Sequence, residues 1–586
     1  MRKVIFTLLL TGLPIWLIGC NSSNSSSNDQ DTVPRATLTL LHTNDIHARL
    51  EPVSATFDGD PEHGGVARVK TVVNQVRSEV GDDNVLLVDA GDYSQGTIFW
   101  NAWKTSDAIM FLNDIGYDAI TLGNHEFNLG PANLAARLEG LPVTIAGVDY
   151  ATEAAAMPVV VTNLDLSGVP ELDARVQPSA IVDKAGVRIG IVGLITDTTQ
   201  NISSPGSDVV FLDYVDSVQA EVNRLHNDGV RHIVLLSHVN YTDDLRLAGQ
   251  LSGVDIIVSG HDHVLLGDEN DLPEWTHRHI RGPYPAVVED LDGNTTLVVS
   301  AWEWTRAVGR LDVEFDDRGR VVNWSGGPIM TELSIAEEPD LAQKVADYRV
   351  PVNAFADVII GSSGMVFDGN RNRMRYEEMP LGNLVTDTML NFDQIAPLNV
   401  DAALANGGGI RASIDSGDVS YGDALSVLPF GNSLVVMDVT GEELVAALDN
   451  GLTHAYDAGE NRIRSTGAWP QVAGMTVTYC LATVADIQAD PAVLPPASCA
   501  DSLRDGGVVT RVEIGGEEVT LDQTYRIVTN NFLASGGDFY ESLAQACKRS
   551  GNFCEDTFFL MLDAFIAEFE NHSPVTRAVE GRLVAE

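Results

Sequence analysis

Asp45 and His47 stand two residues apart, directly after the apolar run Leu38-Thr39-Leu40-Leu41. This run has the composition of a buried strand in a mixed or parallel sheet. Because residues i and i+2 of an extended chain point to the same side, the carboxylate and the imidazole can bind one divalent cation together. Asp and His are also common turn residues at strand ends, so this pair alone leaves both interpretations open.

Four further apolar runs end in residues of the same kinds. They are 85–89 before Gly91-Asp92, 119–122 before Gly123-Asn124-His125-Glu126, 233–237 before His238, and 256–259 before Gly260-His261-Asp262-His263. In open α/β sheets, functional sites form beyond the carboxyl ends of the strands. Five strand ends that carry metal-ligand residue types therefore predict a metal centre at one edge of the sheet.

The elements that must position these residues follow an alternating pattern. Between 35 and about 330, β-rich runs, which include 143–146, 189–194 and 297–300, alternate with helical patterns such as 66–80 and 215–227. This alternation predicts a layered α/β domain. Residues 332–350 predict a linking helix, and Pro351 would end it or start the next segment.

A second α/β domain is predicted from residue 358 onward. Helical patterns occupy 381–392 and 442–448, and β-rich runs occupy 434–439, 475–479 and 526–529. A chain of 586 residues is too long for one hydrophobic core, which agrees with two domains.

The charge balance excludes one class of partner. The chain has 36 Lys+Arg against 83 Asp+Glu, a net charge of −47. Such a surface repels nucleic acid. An anionic substrate would need positive charge supplied locally, by metal ions and a few arginines.

The amino terminus has the features of an export signal. Arg2 and Lys3 precede the apolar run 4–18, which is too short for a comfortable membrane span and ends in Leu17-Ile18-Gly19-Cys20. This resembles the bacterial lipoprotein signal, in which the cysteine receives lipid; an ordinary secretory peptide is the alternative. The Ser/Asn-rich stretch 21–31 predicts a flexible tether to a membrane, with the protein on its periplasmic or cell-surface side.

The cysteines agree with export. Apart from Cys20 the chain has Cys480, Cys499, Cys547 and Cys554, and an even number in an exported protein predicts disulfides. Proximity in the chain favours Cys480 with Cys499 and Cys547 with Cys554, out of three possible connectivities. No CxxC spacing occurs, which argues against a zinc site built from them.

The motifs at the five strand ends follow the order DxH, GD, GNHE, SH and GHxH along the chain. This order resembles that of the calcineurin-like metallophosphoesterases. Three later runs resemble the signatures of the 5′-nucleotidase family's carboxyl-terminal domain: Asn406-Gly407-Gly408-Gly409-Ile410-Arg411, Pro429-Phe430-Gly431-Asn432 and Phe532-Leu533-Ala534-Ser535-Gly536-Gly537-Asp538. The resemblance covers the chain from residue 36 to its end.

This resemblance implies a domain plan. After a signal peptide (1–20) and a tether (21–35), an αββα four-layer metallophosphoesterase domain would span 36–331. A linker helix (332–357) would join it to a smaller α/β substrate-binding domain (358–586). Rotation of the second domain would carry substrate to the metal centre.

The resemblance also implies a two-metal site. Asp45 and His47 would bind one metal ion with His263 near it, Asp92 would bridge both ions, and Asn124, His238 and His261 would complete the second site. Histidine and carboxylate ligands suit Zn, Mn or Co. His125 matches the catalytic histidine, which as imidazolium would stabilise the transition state or protonate the leaving oxygen.

Asn128 departs from the family pattern. The family usually has Asp at this position, where its charge favours the protonated histidine. Asn can still orient the ring of His125 but supplies no charge, so we expect the imidazolium to be less favoured. A rate lower by roughly ten- to a hundredfold is the expected cost.

The resemblance assigns substrate contacts to the second domain. Arg371, Arg375 and Arg411 would bind phosphate oxygens, Phe430 and Phe532 would stack on the base, and Asn432 and Asp538 would contact the base edge and ribose hydroxyls. Without the resemblance, the arginine-rich run 371–375 would be interpreted as a solvent-exposed basic segment whose charge is balanced by Glu377 and Glu378. The run Trp302-Glu303-Trp304 receives no role.

The function implied is two-metal hydrolysis of nucleoside 5′-monophosphates to nucleoside and phosphate outside the cytoplasm. UDP-sugars, dinucleotides or 2′,3′-cyclic nucleotides are alternative substrates. A nucleotide-binding surface lipoprotein that has lost activity is a further alternative, suggested by Asn128 and opposed by the complete set of metal ligands. The sequence leaves open the base, the physiological metal, the membrane leaflet and the oligomeric state.

Overall fold

The structure is a computed structural model that describes residues 36–53, 60–453, 456–457, 462–463, 467–480 and 501–586. The predicted lipid-bearing Cys20, the tether and Cys499 lie outside the described residues. Within the described ranges, no helix combines the length and the apolar character needed to cross a bilayer.

Two mixed sheets form the centre of the first domain. The seven-stranded sheet has the order Val321–Met330, Ala307–Phe315, Ala36–Thr43, Val85–Asp89, Ala119–Thr121, Val159–Val160 and Val176–Gln177. The six-stranded sheet has the order Ala286–Glu289, Thr295–Val299, Ile256–Ser259, His232–His238, Val187–Ile195 and Ser179–Lys184. The five strands that precede the predicted ligands are therefore divided between two sheets, which corrects the expectation of one sheet edge.

The two sheets pack face to face between outer helices, giving four layers. Leu40 and Leu86 of the first sheet and Val234 and Leu236 of the second belong to one buried cluster between the sheets. Alternate residues of the same strands pack against outer helices. These strands read as continuous apolar runs because both of their faces are buried.

The outer helices are amphipathic and cover the two sheets. Val66–Val80, Ile98–Trp103, Ser106–Ile115 and Gly130–Glu139 cover the seven-stranded sheet, and Tyr214–Asn227 and Tyr241–Ala248 cover the six-stranded sheet. The remaining short helices of this domain are Asp82–Asn84, Asn124–Phe127, Pro170–Asp173, Thr199–Ile202 and Glu274–His279. Its two-stranded pairs are Val143–Ile145 with Val148–Tyr150, Leu164–Asp165 with Val210–Phe211, and Leu265–Leu266 with Ile280–Gly282.

The two sheets approach each other closely at Gly193. A Cβ added there would overlap the carbonyl oxygen of Val160 in the other sheet. The Gly193 carbonyl accepts from the N–H of Thr162 at 2.8 Å, and the Asn163 side chain exchanges two hydrogen bonds with the backbone of Ile195. These bonds fix how the sheets lie against each other.

The linker helix runs from Pro339 to Ala356, later than predicted, and Pro351 lies inside it. The start shifts because the Glu338 carboxylate caps the helix by accepting from the N–H of Leu341 at 2.8 Å. Pro351 was expected to end the helix. Packing holds the helix together on both sides of it, because Tyr348 stacks on Trp103 at 4.3 Å and Phe355 contacts Tyr421 at 4.8 Å.

The second domain contains two further sheets. One has the order Pro470–Ala473, Ala402–Asn406, Thr524–Asn530, Ser433–Thr440 and Cys554–Leu560, and the other has Glu517–Glu518, Val509–Ile514, Met475–Tyr479 and Leu583–Ala585. Its longer helices are Pro380–Asn391, Tyr421–Val427, Gly441–Thr453, Glu541–Lys548 and Met561–His572. Its short helices are Arg373–Arg375, Ala396–Leu398, Gly407–Gly409, Asn531–Ala534 and Gly537–Phe539, and its strand pairs are Ile359–Ser363 with Gly417–Ser420 and Tyr456–Asp457 with Arg462–Ile463.

A disulfide joins Cys547 to Cys554, beside the five-stranded sheet. Cys480 is also disulfide-bonded. Its predicted partner Cys499 lies outside the described residues.

The contact at Gly193 gives a stability prediction. Replacing Gly193 with Ala should force the sheets apart and lower the free energy of unfolding by about 1–3 kcal/mol, the usual range for overpacking. Thermal unfolding followed by circular dichroism measures this. Gly327→Ala is the matched control because a Cβ there meets open space. Equal melting temperatures for the two variants would contradict the packing assigned to Gly193.

Candidate metal centre

The ends of five strands bring the predicted ligands together. Asp45 and His47 follow the strand Ala36–Thr43, Asp92 follows Val85–Asp89, and Asn124 follows Ala119–Thr121. His238 is the last residue of its strand, and His261 and His263 follow Ile256–Ser259. Asp45, His47, Asp92, Asn124 and His238 are buried, whereas His261 and His263 are partly exposed.

One group of ligand atoms comes from Asp45, His47 and His263. The Nε2 atoms of His47 and His263 lie 3.0 Å apart, and His263 Nε2 lies 3.7 Å from Asp45 Oδ1. Asp92 Oδ2 is 3.9 Å from His47 Nε2. Imidazole nitrogens and carboxylate oxygens at these separations can surround one cation.

A second group comes from Asp92, His238 and His261. His238 Nε2 lies 3.1 Å from Asp92 Oδ2, and Asn124 Oδ1 lies 3.0 Å from His261 Nδ1. Asp92 thus faces both groups, because its Oδ2 lies near His47 of the first and His238 of the second.

The buried polar atoms of the site fit divalent cations. Asp92 Oδ2 and His238 Nε2 are both buried, and neither makes a hydrogen bond of good geometry. Leaving such atoms without partners is costly, and a metal ion between them would satisfy both. The donor set of histidine nitrogens, carboxylates and one amide oxygen suits Zn, Mn or Co.

Outer hydrogen bonds orient three of the histidine rings. Nδ1 of His238 donates to the Ala90 carbonyl at 2.7 Å, and Nδ1 of His47 donates to the Ser94 carbonyl at 3.2 Å. Nδ1 of His263 lies 2.6 Å from a carboxylate oxygen of Glu303. Each ring therefore directs Nε2 to the centre, as is usual for histidine ligands of metals.

The backbone of the ligand loops is strained. Five ligands have left-handed φ angles: Asp45, His47, Asp92, His261 and His263. Such conformations cost about 1–3 kcal/mol each in a residue other than glycine. Hydrogen bonds compensate, since the N–H groups of Asp45 and His47 donate to the carbonyls of Gly91 and Asp92 at 3.0 and 2.9 Å.

Gly123 is required by the close approach of the bridging carboxylate. A Cβ at Gly123 would overlap the side chain of Asp92. A side chain at this position would displace Asp92 from the centre of the site.

Burial and neighbouring charges shift the pKa values of the metal-free ligands. Burial opposes the ionisation of Asp92, but the charges of His238 and His125 hold its pKa well below the usual range. Burial lowers the pKa of His238, but Asp92 outweighs it and raises the pKa to about 10. In the same way Glu303 and Asp45 overcome burial and raise the pKa of His263 to about 9.

His125 lies beside the ligands with its ring held by Asn128. The Asn128 amide donates from Nδ2 to His125 Nδ1 at 2.9 Å, and the Ser203 hydroxyl donates to Asn128 Oδ1 at 2.9 Å. A nitrogen that accepts cannot carry the proton, so the proton of the neutral ring lies on Nε2, 4.0 Å from Asp92 Oδ2. Burial and the charge of His238 lower the pKa of His125 to about 4, although Asp92 opposes this shift.

Two carboxylates that the sequence did not single out support the site. Glu126 is buried and accepts from the N–H groups of Gly123, Asp92 and Ser94 at 2.6, 3.1 and 2.9 Å. The sequence signal that could have identified Glu126 was its position inside the run Gly123-Asn124-His125-Glu126. Glu303, to which the sequence assigned no role, contacts His263, and no local pattern pointed to it.

The predicted substrate residues of the second domain form their own group. Burial lowers the pKa of Arg375, and the charges of Arg371 and Arg411 lower it further while Asp538 raises it, so these four charges are neighbours. Arg373, between the first two arginines in sequence, instead pairs with Asp368 and Glu377 at 2.8 and 2.7 Å.

The aromatic residues lie near these arginines. The Arg411 guanidinium lies 5.3 Å from the centre of the Phe430 ring, and Phe430 is 50% exposed. Phe532 packs against Gly537, next to Asp538, whose carboxylate accepts from the Asn406 amide at 2.8 Å. The Asn432 carbonyl accepts from the N–H of Met561 at 2.9 Å.

The structure does not bring the arginine group to the metal ligands. A cavity of about 810 Å³ opens at His47, His261 and His263. Its walls from the second domain are formed by Gly431, Ser433, Asn531, Cys547, Cys554, Glu555, Asp556 and Leu560. The second domain therefore contributes two carboxylates, Glu555 and Asp556, and Gly431 of the predicted substrate run to this cavity, and none of the three arginines lines it.

Comparisons with known proteins agree with this geometry. The calcineurin-like phosphoesterase family model matches residues 38–265, and the model of the 5′-nucleotidase carboxyl-terminal domain matches residues 352–545. Human 5′-nucleotidase is 30% identical over 568 residues, which cover 93% of this chain and 90% of that protein.

Two bacterial proteins are also similar. The trifunctional nucleotide phosphoesterase protein YfkN of Bacillus subtilis is 32% identical over 574 residues, and this chain spans 35% of its length and is itself covered to 93%. The crystal structure of a 5′-nucleotidase precursor from Thermus thermophilus has 38% identity and a TM-score of 0.55, covering 94% of this chain and 99% of that one.

The raised pKa values predict that metal binding releases protons. At pH 7.5 the metal-free protein should carry a proton on both His238 and His263, whose pKa values lie near 10 and 9. Metal ligation needs the neutral ring, so loading chelator-treated protein should release about two protons, and the apparent affinity should rise as pH rises towards 9. Calorimetric titration in two buffers of different ionisation enthalpy measures this number, and a binding heat independent of the buffer would contradict it.

Proposed function

The chain belongs to the 5′-nucleotidase family, and from this premise we propose that it hydrolyses nucleoside 5′-monophosphates to nucleoside and phosphate with two divalent metal ions. The observation that carries the proposal is the convergence of seven predicted ligand side chains, among which Asp92 faces both clusters. A shared carboxylate between two metal sites is the arrangement of enzymes that displace a phosphate ester in line.

The residues of the first domain would act on the phosphate ester. When bound, the two ions would polarise the phosphoryl group and activate the attacking water. The N–H of His125 at Nε2 faces Asp92 and the predicted ligands rather than Asn128, so the neutral ring can donate a hydrogen bond towards the phosphoryl or leaving oxygen. Transfer of a proton to the leaving oxygen would require the imidazolium form.

The residues of the second domain would bind the nucleotide. Arg371, Arg375 and Arg411 can bind phosphate oxygens through their planar guanidinium groups. Phe430 and Phe532 would stack on the base, and stacking contributes about 1–3 kcal/mol per base while tolerating different bases. Asp538 and Asn432 would accept or donate hydrogen bonds at the ribose and the base edge.

The separation between the arginine group and the predicted metal ligands supports our proposal that the second domain moves during turnover. The arginines do not line the cavity at the metal ligands. We infer that nucleotide binds to the arginine group and that rotation about the linker helix Pro339–Ala356 carries its phosphate to the metal centre.

A broader substrate range is the second candidate. The Bacillus relative is named a trifunctional nucleotide phosphoesterase, and the cavity of about 810 Å³ has room for more than one phosphate. UDP-sugars, dinucleotides and 2′,3′-cyclic nucleotides are the substrates that this candidate adds.

We further propose that the protein works outside the cytoplasm, held to a membrane by lipid on Cys20. The disulfide between Cys547 and Cys554 supports an oxidising compartment. The nucleoside and phosphate released there would be available for uptake.

Phosphate release from a substrate panel tests the function. Residues 31–586, loaded with Mn, Zn or Co, should hydrolyse AMP, and Asp92→Asn should lower the rate at least about a hundredfold because the shared charge is lost. Asp173→Asn, an exposed residue of a short helix, is the control and should behave like the wild type. Tight AMP binding without hydrolysis under any metal would favour the inactive binding protein, and preference for a diester would favour the second candidate.

Asn128 provides a second prediction. Replacing it with Asp puts a negative charge beside Nδ1 of His125, which should raise the pKa of His125 above its present value of about 4 and favour the imidazolium. We expect a rate increase of roughly tenfold and activity that extends to higher pH. Ser203→Ala, which removes only the hydroxyl behind Asn128, is the control. An identical pH–rate profile for wild type and Asn128→Asp would refute this role.

A further inference from the structure

Glu303 is a buried carboxylate in contact with a metal ligand. Its Oε2 lies 2.6 Å from Nδ1 of His263, and its side chain is 12% exposed. Its Oε1 accepts from Nη1 of Arg306 at 3.1 Å. The carboxylate is therefore held between one ring nitrogen of a histidine ligand and one guanidinium.

Arg306 is itself held in place by two aromatic rings. Its guanidinium lies 4.8 Å from the centre of the Trp302 ring and 4.6 Å from that of Trp304. Side chains on both sides thus limit the positions that Arg306, and with it the Glu303 carboxylate, can adopt.

The backbone around Glu303 is joined to two ligand loops. The N–H of Trp304 donates to the Asp45 carbonyl at 2.8 Å, and the N–H of Trp302 donates to the Val264 carbonyl at 3.1 Å. Asn44 donates from its side chain to the Trp302 carbonyl at 2.5 Å. Glu303 thus reaches His263 from a segment that has a fixed position relative to both Asp45 and the loop of His263 itself.

His263 is a partly exposed ligand whose ring and backbone need such support. Its side chain is 25% exposed, whereas that of Asp45 is 0% exposed, and its backbone has a left-handed φ of 53°. The rings of His238 and His47 are oriented by backbone carbonyls. Among the three rings with an outer hydrogen bond described above, only that of His263 depends on a side chain.

We propose that Glu303 is a positioning residue that holds Nε2 of His263 towards the first metal site and strengthens it as a ligand. The proposal rests on the two-metal centre of the proposed function. A charged partner on the outer nitrogen fixes the ring orientation and raises the basicity of the ligating nitrogen. Its direct effect should fall on the cluster of Asp45, His47 and His263, because His263 is the predicted ligand that it contacts.

Binding of Co²⁺ to the metal-free protein tests the proposal, because the visible spectrum of Co²⁺ reports its ligands. The wild type should bind two ions per chain. Glu303→Gln keeps the shape and removes the charge, and should lower the affinity for one ion by roughly ten- to a hundredfold, change the spectrum of that ion only, and leave the other ion unaffected. Activity should return when more metal is added.

A second variant covers the case in which the glutamine oxygen still holds the ring. The pair Glu303→Met with Arg306→Met removes the acceptor without leaving a buried guanidinium unpaired, and it should weaken the same ion at least as much. The matched control is Glu79→Gln, which removes a carboxylate that pairs with Arg310 at 2.9 Å but is 60% exposed.

The outcomes separate this inference from the proposed function. Wild-type protein that binds no second ion would refute the two-metal centre itself. Wild type with two ions and Glu303→Gln with equal affinities and spectra would refute the role of Glu303. A lower melting temperature of the metal-free variant, with unchanged Co²⁺ affinity, would show a purely structural role and would also overturn the proposal.

Discussion

The structure depends on keeping one carboxylate ionised in the protein interior. Asp92 is fully buried, and an isolated buried charge is strongly unfavourable. Its Oδ1 accepts from the N–H of His125 at 2.9 Å, and its Oδ2 faces His238 of the other sheet at 3.1 Å. The two sheets must therefore pack in the one alignment that brings His238 to Asp92, and the contact at Gly193 secures that alignment.

The ligand loops show how the fold maintains strained conformations. Five ligands adopt left-handed backbone angles that the chain avoids when unfolded. Hydrogen bonds compensate for this strain: the N–H of Asp92 donates to Glu126, the N–H of Asp45 donates to the Gly91 carbonyl, and the N–H of Trp304 donates to the Asp45 carbonyl.

Positive charge is scarce in this acidic chain, and the second domain brings part of it together. In a protein of net charge −47, Arg371, Arg375 and Arg411 of the second domain form one group, while Arg373 between the first two pairs with two carboxylates. These three arginines are not among the described residues that line the cavity at the predicted metal ligands.

The sequence by itself determined the order of strands and ligands. Runs such as Val85–Asp89 and Ile256–Ser259 were predicted to the residue, because strands buried on both faces are continuously apolar and ligand types follow them. Only the tertiary structure decided that the predicted ligands are divided between two sheets and that Pro351 continues a helix. It also decided that Glu303 reaches His263 and that the three arginines do not line the cavity at the predicted metal ligands. These features depend on packing and hydrogen bonds between residues far apart in the chain, for which no local pattern carries a signal.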